Sequence, residues 1–175
     1  HLGGSFEIDK LKLSIIEPQL TIERAAACHL IQAVGKVMLD ENSAIFRFYT
    51  DDDAFLQVVT DGGFDEQHVS DVKLWYFYDT KSVGSHQQWD TLLQTGVSQP
   101  TYQLNDHEFS RVWNGFDNNS PPVAMTETTW QNEQSQSTTD QFVMLYERQL
   151  ENDEVEALML SAEEKITNGI KGCLL

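Results

Sequence analysis

Short stretches of alternating apolar and polar residues dominate the chain, which is the pattern of half-buried β-strands. Turn-forming residues separate these stretches at intervals of roughly 8 to 15 residues. The pattern predicts roughly ten short strands. They comprise two extended stretches within 21–40, then 44–49, 54–60, 72–78, 101–104, 107–113, 123–130, 142–150 and 154–162.

The most apolar of these strands, 72–78, reads Val-Lys-Leu-Trp-Tyr-Phe-Tyr. Aromatic residues occupy both its odd and its even positions, so we expect a central strand that is covered on both sides. Between the strands, Asn105-Asp106 predicts a two-residue hairpin turn. The segment 131–141 has no apolar residue and predicts a long, mobile hairpin loop. The tail 163–175 fits either a helix or a strand.

One helix is well indicated, over 85–95. Ser85 is a typical N-cap, and Gln88 three residues later completes a capping box. Gly96 stands where a left-handed residue commonly ends a helix. A single apolar stripe, expected to pack on the sheet, follows from the spacing of Trp89, Leu92 and Leu93.

These elements predict a mainly β fold: an antiparallel barrel, sandwich or curved sheet of roughly ten strands, with one packed helix near residues 85–95. At 175 residues, the chain is expected to form a single domain over 1–175. Because the sequence begins with His1 and not with Met, we also expect that a native N-terminal segment is missing.

Charge limits the classes of partner. The chain has 28 acidic and 11 basic residues, a formal net charge of −17. Acids outnumber bases by 13 to 3 within 37–110, and 149–164 holds 6 acids and no base. Such a surface repels phosphate backbones, so nucleic acid is not an expected partner. The charge either maintains solubility or forms a surface for a basic partner or for cations.

Other features point to a soluble cytoplasmic protein. Cys28 and Cys173 lie far apart and form no C-x-x-C motif, which fits a reduced cytoplasmic setting. No apolar run approaches the roughly 18 residues that span a membrane, so direct membrane insertion is not expected. The phosphate-loop, dinucleotide-binding, nucleophile-elbow and common zinc motifs are all missing. The histidines show no ligand spacing, and the sequence therefore predicts no cofactor.

Five acidic residues form a candidate binding or cation site. Asp51, Asp52 and Asp53 are adjacent between two predicted strands, and their mutual repulsion would be relieved by a cation or a basic ligand. Asp79 and Glu127 are added as further carboxylates, because Glu127 lies in mid-strand where a cleft acid with a raised pKa is one interpretation. The alternatives are an exposed turn for the triplet and the polar side of an amphipathic strand for Glu127.

An aromatic pocket is a second candidate site. If the strands close into a barrel, a small ligand is expected to contact the aromatic rings of Trp75, Tyr76, Tyr78 and Trp130. The alternative is that these large side chains simply form the hydrophobic core.

Four segments together resemble the bacterial YjfK-like family, a domain family of unknown function. They are 48–57, 71–80, 120–127 and 144–148. The resemblance implies a bacterial cytosolic protein whose gene lies near those of a phage-shock-like membrane-stress protein and a glutathionylspermidine synthase-like enzyme. It therefore implies an envelope-stress setting. The family carries no catalytic residue set that can be transferred to this chain.

Three hypotheses about function follow. The first is a non-enzymatic accessory protein that binds a basic protein partner through its acidic face. The second is a carboxylate-based divalent-cation-binding domain or hydrolase centred on the aspartate triplet. The third is a small-ligand-binding β-barrel. The missing catalytic motifs favour the first.

Overall fold

The structure is a computed structural model that describes the backbone of residues 1–23, 25–113, 118–167 and 170–174. Side chains are described within these ranges up to Glu164, apart from Asn152. Residues 114–117, between the predicted strands 107–113 and 123–130, lie outside the described residues.

Antiparallel strands make up most of the described chain, as the sequence predicts. In chain order they are β1 (Ser5–Glu7), β2 (Cys28–Met38), β3 (Ala44–Thr50), β4 (Ala54–Thr60), β5 (Val69–Tyr76), β6 (Ser82–Val83), β7 (Thr101–Leu104), β8 (His107–Arg111), β9 (Val123–Asn132), β10 (Ser135–Gln149), β11 (Val155–Thr167) and β12 (Ile170–Leu174).

Helices are short. The α-helices are α1 (Lys10–Ile16) and α2 (His86–Thr91), and α2 continues directly as a π-helix, Leu92–Gly96. Single 3-10 turns occupy Glu17–Gln19, Glu66–His68 and Glu151–Asp153. No described helix has the length and apolar character that a membrane crossing requires.

The chain groups into two compact units. The first contains His1–Pro18, Ile22–Asp79 and Thr126–Thr139. The second contains Gln19–Thr21, Thr80–Met125 and Asp140–Leu175. Strands β9 and β10 each contribute residues to both units. That the whole chain forms one domain stays a prediction.

The first unit is an antiparallel sheet with the strand order β5-β4-β3-β2-β9, to which β1 adds at the beginning of β2. Short turns connect β2 through β5, because these strands are neighbours both in the sheet and in the chain. Among the described strands β5 pairs with β4 alone, so the order ends in an open edge. The pairing is that of an open sheet and not of a closed barrel.

In the second unit, β8 pairs with both β7 and β10, and the order continues from β10 through β11 and β12 to β6. Asn105 and Asp106 join β7 to β8 with left-handed φ angles of 47° and 64°. The predicted two-residue hairpin is therefore confirmed, since this turn requires positive φ at both positions. The core of this unit is a cluster of Phe109, Met144 and Tyr146.

The helix predicted over 85–95 is confirmed, but its ends differ in detail. The Ser85 hydroxyl accepts the Gln88 N–H at 3.2 Å, while the Gln88 side chain accepts the N–H of Gly84 at 3.1 Å instead of that of Ser85. The prediction of a left-handed Gly96 is wrong. The helix widens into a π-turn, in which the Val97 N–H donates to the Leu92 carbonyl at 2.9 Å.

The prediction of a covered central strand over 72–78 is wrong. The corresponding strand, β5, lies at the open edge of the first unit, and its Val72 side chain is 52% exposed. Phe77 and Tyr78 lie beyond the end of the strand and are exposed. Aromatic residues on both sides of 72–78 do not indicate a covered strand here, because Phe77 and Tyr78 lie beyond the end of β5.

Other boundaries also differ from the sequence prediction. The predicted loop 131–141 is mostly strand, because β9 continues to Asn132 and β10 begins at Ser135. Backbone hydrogen bonds hold this polar hairpin, and they need no apolar side chain. Among the described residues of 21–40 there is one strand, β2, and not two. The tail extends β11 and adds β12. Helix α1 is not among the predicted elements; its Asp9 carboxylate accepts the Leu11 and Lys12 N–H groups at 3.0 and 3.3 Å.

Candidate functional site

The aspartate triplet forms the turn between β3 and β4. Asp51 fixes one side of this turn, because its carboxylate accepts the Leu30 N–H at 3.1 Å and its own N–H donates to the Leu30 carbonyl at 3.2 Å. Asp53 has a left-handed φ of 55° and an exposed side chain. Asp51 is exposed as well. The geometry of the turn therefore explains Asp51 and Asp53, whereas the Asp52 side chain contacts His29 of β2.

Asp52 pairs with a histidine that the sequence pattern did not indicate. Its carboxylate lies 3.0 Å from Nδ1 of the fully buried His29 and accepts the Thr50 hydroxyl at 2.6 Å. Burial raises the pKa of Asp52, but hydrogen bonds from Thr50 and His29, together with the charge of His29, outweigh it and hold the pKa below its ordinary value. The pair connects the beginning of β2 to the β3–β4 turn.

Apolar and aromatic groups enclose His29. The Phe6 ring of β1 stacks on the imidazole with centroids 4.7 Å apart, and the Tyr76 ring approaches edge-on at 6.2 Å. Nε2 of His29 is buried without a hydrogen-bond partner. Burial and the nearby charge of Asp52 raise the pKa of Tyr76 to about 12, and the adjacent Ala26 backbone partly opposes this shift. The imidazole is therefore part of the packed interior.

Glu127 belongs to a buried ion pair. Its carboxylate accepts Nη1 of Arg47 at 2.7 Å and the Tyr49 hydroxyl at 2.7 Å, and both charged side chains are nearly completely buried. Burial and the charge of Glu127 raise the pKa of Tyr49. Gly35 provides the necessary room, since a Cβ atom there would lie 1.7 Å from Oε1 of Glu127. Glu127 is thus held by cationic and phenolic partners within the sheet.

The five predicted carboxylates have separate surroundings. Asp52 contacts His29, Glu127 contacts Arg47 and Tyr49, and Asp79 lies exposed beyond the end of β5. Within the described part of the chain, no three His, Cys, Asp or Glu side chains are grouped in a way that could hold a metal ion. A cation at the triplet stays a prediction.

The four predicted pocket aromatics lie on different sides of the sheet. Strand register places Trp75 opposite Phe55 on one face, whereas Tyr76 opposite Ala54 and Trp130 opposite Val34 lie on the other. Tyr78 is exposed beyond β5. The indole N–H of Trp75 is buried without a hydrogen-bond partner. The four rings therefore do not surround one common space.

The two faces of the first sheet differ in exposure. One face carries the buried Arg47–Glu127 pair with buried Val37, Phe55 and Trp75, and the exposed Phe77 packs against Phe55 at one end of it. The opposite face, called here the apolar face, is only half-buried. Register assigns to it Val34, Phe46, Phe48, Leu56, Val58, Val72, Leu74 and Trp130.

Exposure is greatest toward the end of the sheet where β2 leads into β3. There Val72, Met38 and Phe64 are 52%, 49% and 46% exposed. Lys36 bears the positive charge on this face, and its ammonium lies 4.8 Å from the Phe64 ring centroid and 5.6 Å from that of Phe46. Contiguous exposed apolar surface of this kind commonly marks a site of interaction with another molecule.

Acidic turns border both ends of the apolar face. The aspartate triplet lies at one end. At the other end, the β2–β3 turn and the β4–β5 connection are linked by a 3.0 Å hydrogen bond from the Ser43 hydroxyl to Asp61. The exposed acids here are Asp40, Glu41, Asp61, Asp65 and Glu66.

Two of these acids are held in their ionised form. The Asn42 backbone N–H lowers the pKa of Asp40. A hydrogen bond from His68 lowers the pKa of Asp65. Asp40 and Asp65 therefore remain ionised to a lower pH than an ordinary aspartate.

Together these features define an acidic, antiparallel β protein whose first unit presents a half-open apolar face between acidic turns. The chain belongs to the family described as "Protein of unknown function (DUF2491)", which matches residues 1–175. It is 28% identical over 170 residues to the "Uncharacterized protein YjfK" of Escherichia coli (strain K12), an alignment that covers 96% of this chain and 78% of that protein. No solved structure matches the chain. The resemblance to a YjfK-like family of unknown function is confirmed.

Proposed function

We propose that this chain is a cytoplasmic, non-enzymatic accessory protein that binds a basic protein partner on the apolar face. The observation that supports this most directly is the contrast between the two faces of one sheet. Val37, Phe55 and Trp75 on one face are buried, while Val72, Met38 and Phe64 at the other remain about half exposed. The envelope-stress setting implied by the family resemblance belongs to the same proposal.

Charge determines the kind of partner. The acidic turns at both ends of the face, in a chain with a net charge of −17, attract a basic molecule and accelerate its encounter. Burial of the apolar side chains then provides most of the affinity, because exposed ion pairs contribute little. The partner surface is therefore expected to have an apolar centre and basic ends.

The dimensions of the sheet suggest the form of that partner segment. The seven residues of β3 span about 23 Å between the two acidic ends, at about 3.3 Å per residue. A helix of about 15 residues has the same length. An amphipathic helix with Lys or Arg near both ends would place its apolar stripe on Phe48 and Leu56 and its charges beside the acidic turns.

The test is capture of interacting proteins from a bacterial lysate by the immobilised wild type and by a Val72→Ser/Phe64→Ser variant. Both substitutions are at exposed positions, so the fold is expected to remain intact. We expect the wild type to retain basic proteins at low salt and to release them at high salt, and the variant to lose them.

Leu11→Ser is the matched control, because Leu11 is an exposed apolar residue of α1 that lies outside the apolar face. This variant should capture the same proteins as the wild type. Retention of the same partners by Val72→Ser/Phe64→Ser would contradict the proposal. Retention of the partners at high salt would contradict a role for the acidic turns in binding.

A further inference from the structure

The open edge of β5 presents backbone groups that the proposed function does not use, although the Val72 side chain belongs to the apolar face. Among the described strands β5 pairs with β4 alone, which leaves its second side without a strand partner. Val69 and Val72 are exposed along this edge, and Lys73 and Asp71 are each at least one-third exposed. Proteins usually protect such edges, because an unpaired strand readily accepts another strand.

The backbone groups that are available on this edge can be identified. The Phe77 N–H donates to the Asp53 carbonyl at 2.9 Å, so it points toward the β3–β4 hairpin. Backbone groups alternate between the two sides of a strand. The N–H and C=O groups of Val72 and Leu74 therefore point outward, away from β4.

Charge along the edge is self-complementary. Asp71 and Lys73 flank Val72 and form an ion pair with each other at 2.5 Å. When a strand meets its own copy in antiparallel orientation about Val72, position 71 of each copy is opposite position 73 of the other. Asp71 then faces Lys73 of the second copy twice, once on either side of the symmetry axis.

We infer that β5 pairs antiparallel with β5 of a second copy of this chain, with Val72 opposite Val72 and a twofold axis between them. This is an isologous contact, the usual arrangement of symmetric dimers. The two Val72 residues form a hydrogen-bonded pair, because the N–H and C=O of each point outward. The apolar faces of the two copies join into one wider surface.

Two features of the chain limit the strength of this contact. The ladder of β5 with β4 is irregular between Val59 and Thr60, and a bulge twists the nearby part of an edge strand. The net charge of −17 on each copy also opposes association. The dimer should therefore be measured at about 0.15 M salt or above, where the Debye length is about 8 Å.

Charge reversal tests the contact. Lys73→Glu places Asp71 opposite Glu at two positions, and Asp71→Lys places Lys opposite Lys at two positions. Each single variant is expected to weaken the dimer by about tenfold or more. The double variant Asp71→Lys/Lys73→Glu should regain dimerisation, since it restores opposite charges. Sedimentation equilibrium measures all four proteins.

A mixture of the two single variants tests the charge complementarity directly. Lys73→Glu and Asp71→Lys should each be mainly monomeric alone, yet form a heterodimer when mixed, which native mass spectrometry distinguishes by mass. Glu41→Lys, an exposed charge reversal in the β2–β3 turn, should leave the dimer unchanged. A wild type that stays monomeric at its highest soluble concentration would overturn the inference. So would single reversals without effect on a dimer.

Register is tested by cross-linking in a Cys28→Ser/Cys173→Ser background. Facing residues of a hydrogen-bonded antiparallel pair have Cα atoms about 5.5 Å apart, within the range that a disulfide spans. Val72→Cys should therefore oxidise to a covalent dimer. Ser70→Cys should not, because it faces Leu74 of the second copy. Cross-linking at position 70 in preference to 72 would overturn the proposed register.

Discussion

Loss of Arg47 should strongly destabilise the protein, because it leaves Glu127 buried without its cation. The two side chains are 3% and 2% exposed and are joined at 2.7 Å. Breaking such a buried pair by removing one partner costs about 3–5 kcal/mol. For a chain of this length we therefore expect Arg47→Met to lower Tm by about 6–20 °C.

The double variant separates the interaction from the loss of the individual side chains. Arg47→Met/Glu127→Met replaces the pair with apolar groups, a change that is often close to neutral for buried ion pairs. The double variant should therefore be more stable than Arg47→Met alone. Urea unfolding followed by circular dichroism at low protein concentration gives the four free energies of the cycle.

The exposed pair Lys73–Asp71 provides the comparison. It has a similar N···O distance, 2.5 Å, but its side chains are 34% and 43% exposed. Lys73→Met is therefore expected to cost less than about 1 kcal/mol. If Arg47→Met costs no more than Lys73→Met, or if the two single changes are additive in the double variant, the reasoning from burial is refuted.

Three further predictions concern neighbouring positions. Gly35→Ala should destabilise the protein by about 1–3 kcal/mol by overpacking, and Glu127→Ala should relieve part of that cost, as urea midpoints will show. Asp52→Asn should cost about 1–3 kcal/mol at neutral pH because it removes a charged acceptor. Since the pKa of Asp52 is lowered in the folded state, its contribution to the free energy of unfolding is present above the unfolded pKa of about 3.9 and is lost as pH falls through the folded pKa. The free energies of unfolding of the wild type and Asp52→Asn should therefore converge in acid. Asp53→Val should cost about 1–2 kcal/mol through its left-handed φ while Asp53→Asn is nearly neutral, and equal Tm values would contradict this.

Local sequence signals predicted the features that depend on local chemistry. The Ser85 cap and the Asn105-Asp106 turn are both in place, because each is specified by neighbouring residues alone. Alternation likewise predicted most strands. Their order in the sheet carries no such local signal, which is why β5 was expected at the centre but lies at an edge.

Pairs that are distant in the sequence were beyond prediction. Glu127 was considered as a cleft acid, yet its partner Arg47 lies 80 residues earlier in the chain. His29 and Asp52 are likewise 23 residues apart, on elements that only the folded sheet brings together. Glu127 lies two positions from Thr129, the register partner of Gly35, and no local pattern marks that proximity. Gly35 within an otherwise β-favouring stretch is nevertheless a usable signal of close approach.

The polar hairpin between β9 and β10 shows the opposite error. A composition without apolar residues predicts a loop, yet Thr and Ser occur in strands when their backbone groups pair with a neighbouring strand. When both sides of a strand are exposed, its sequence lacks the alternation of apolar and polar residues that identifies a strand. Apolar periodicity therefore detects half-buried strands and misses fully exposed ones.

The half-open apolar face gives the large negative charge a second meaning. Two molecules that carry exposed Val72, Met38 and Phe64 adhere on collision unless long-range repulsion keeps them apart. The amino-acid composition corresponds to an isoelectric point near 4.4, so we expect the net repulsion to disappear in mild acid while the apolar surface remains. We therefore expect the solubility of the protein in mild acid to depend on the apolar side chains of this face.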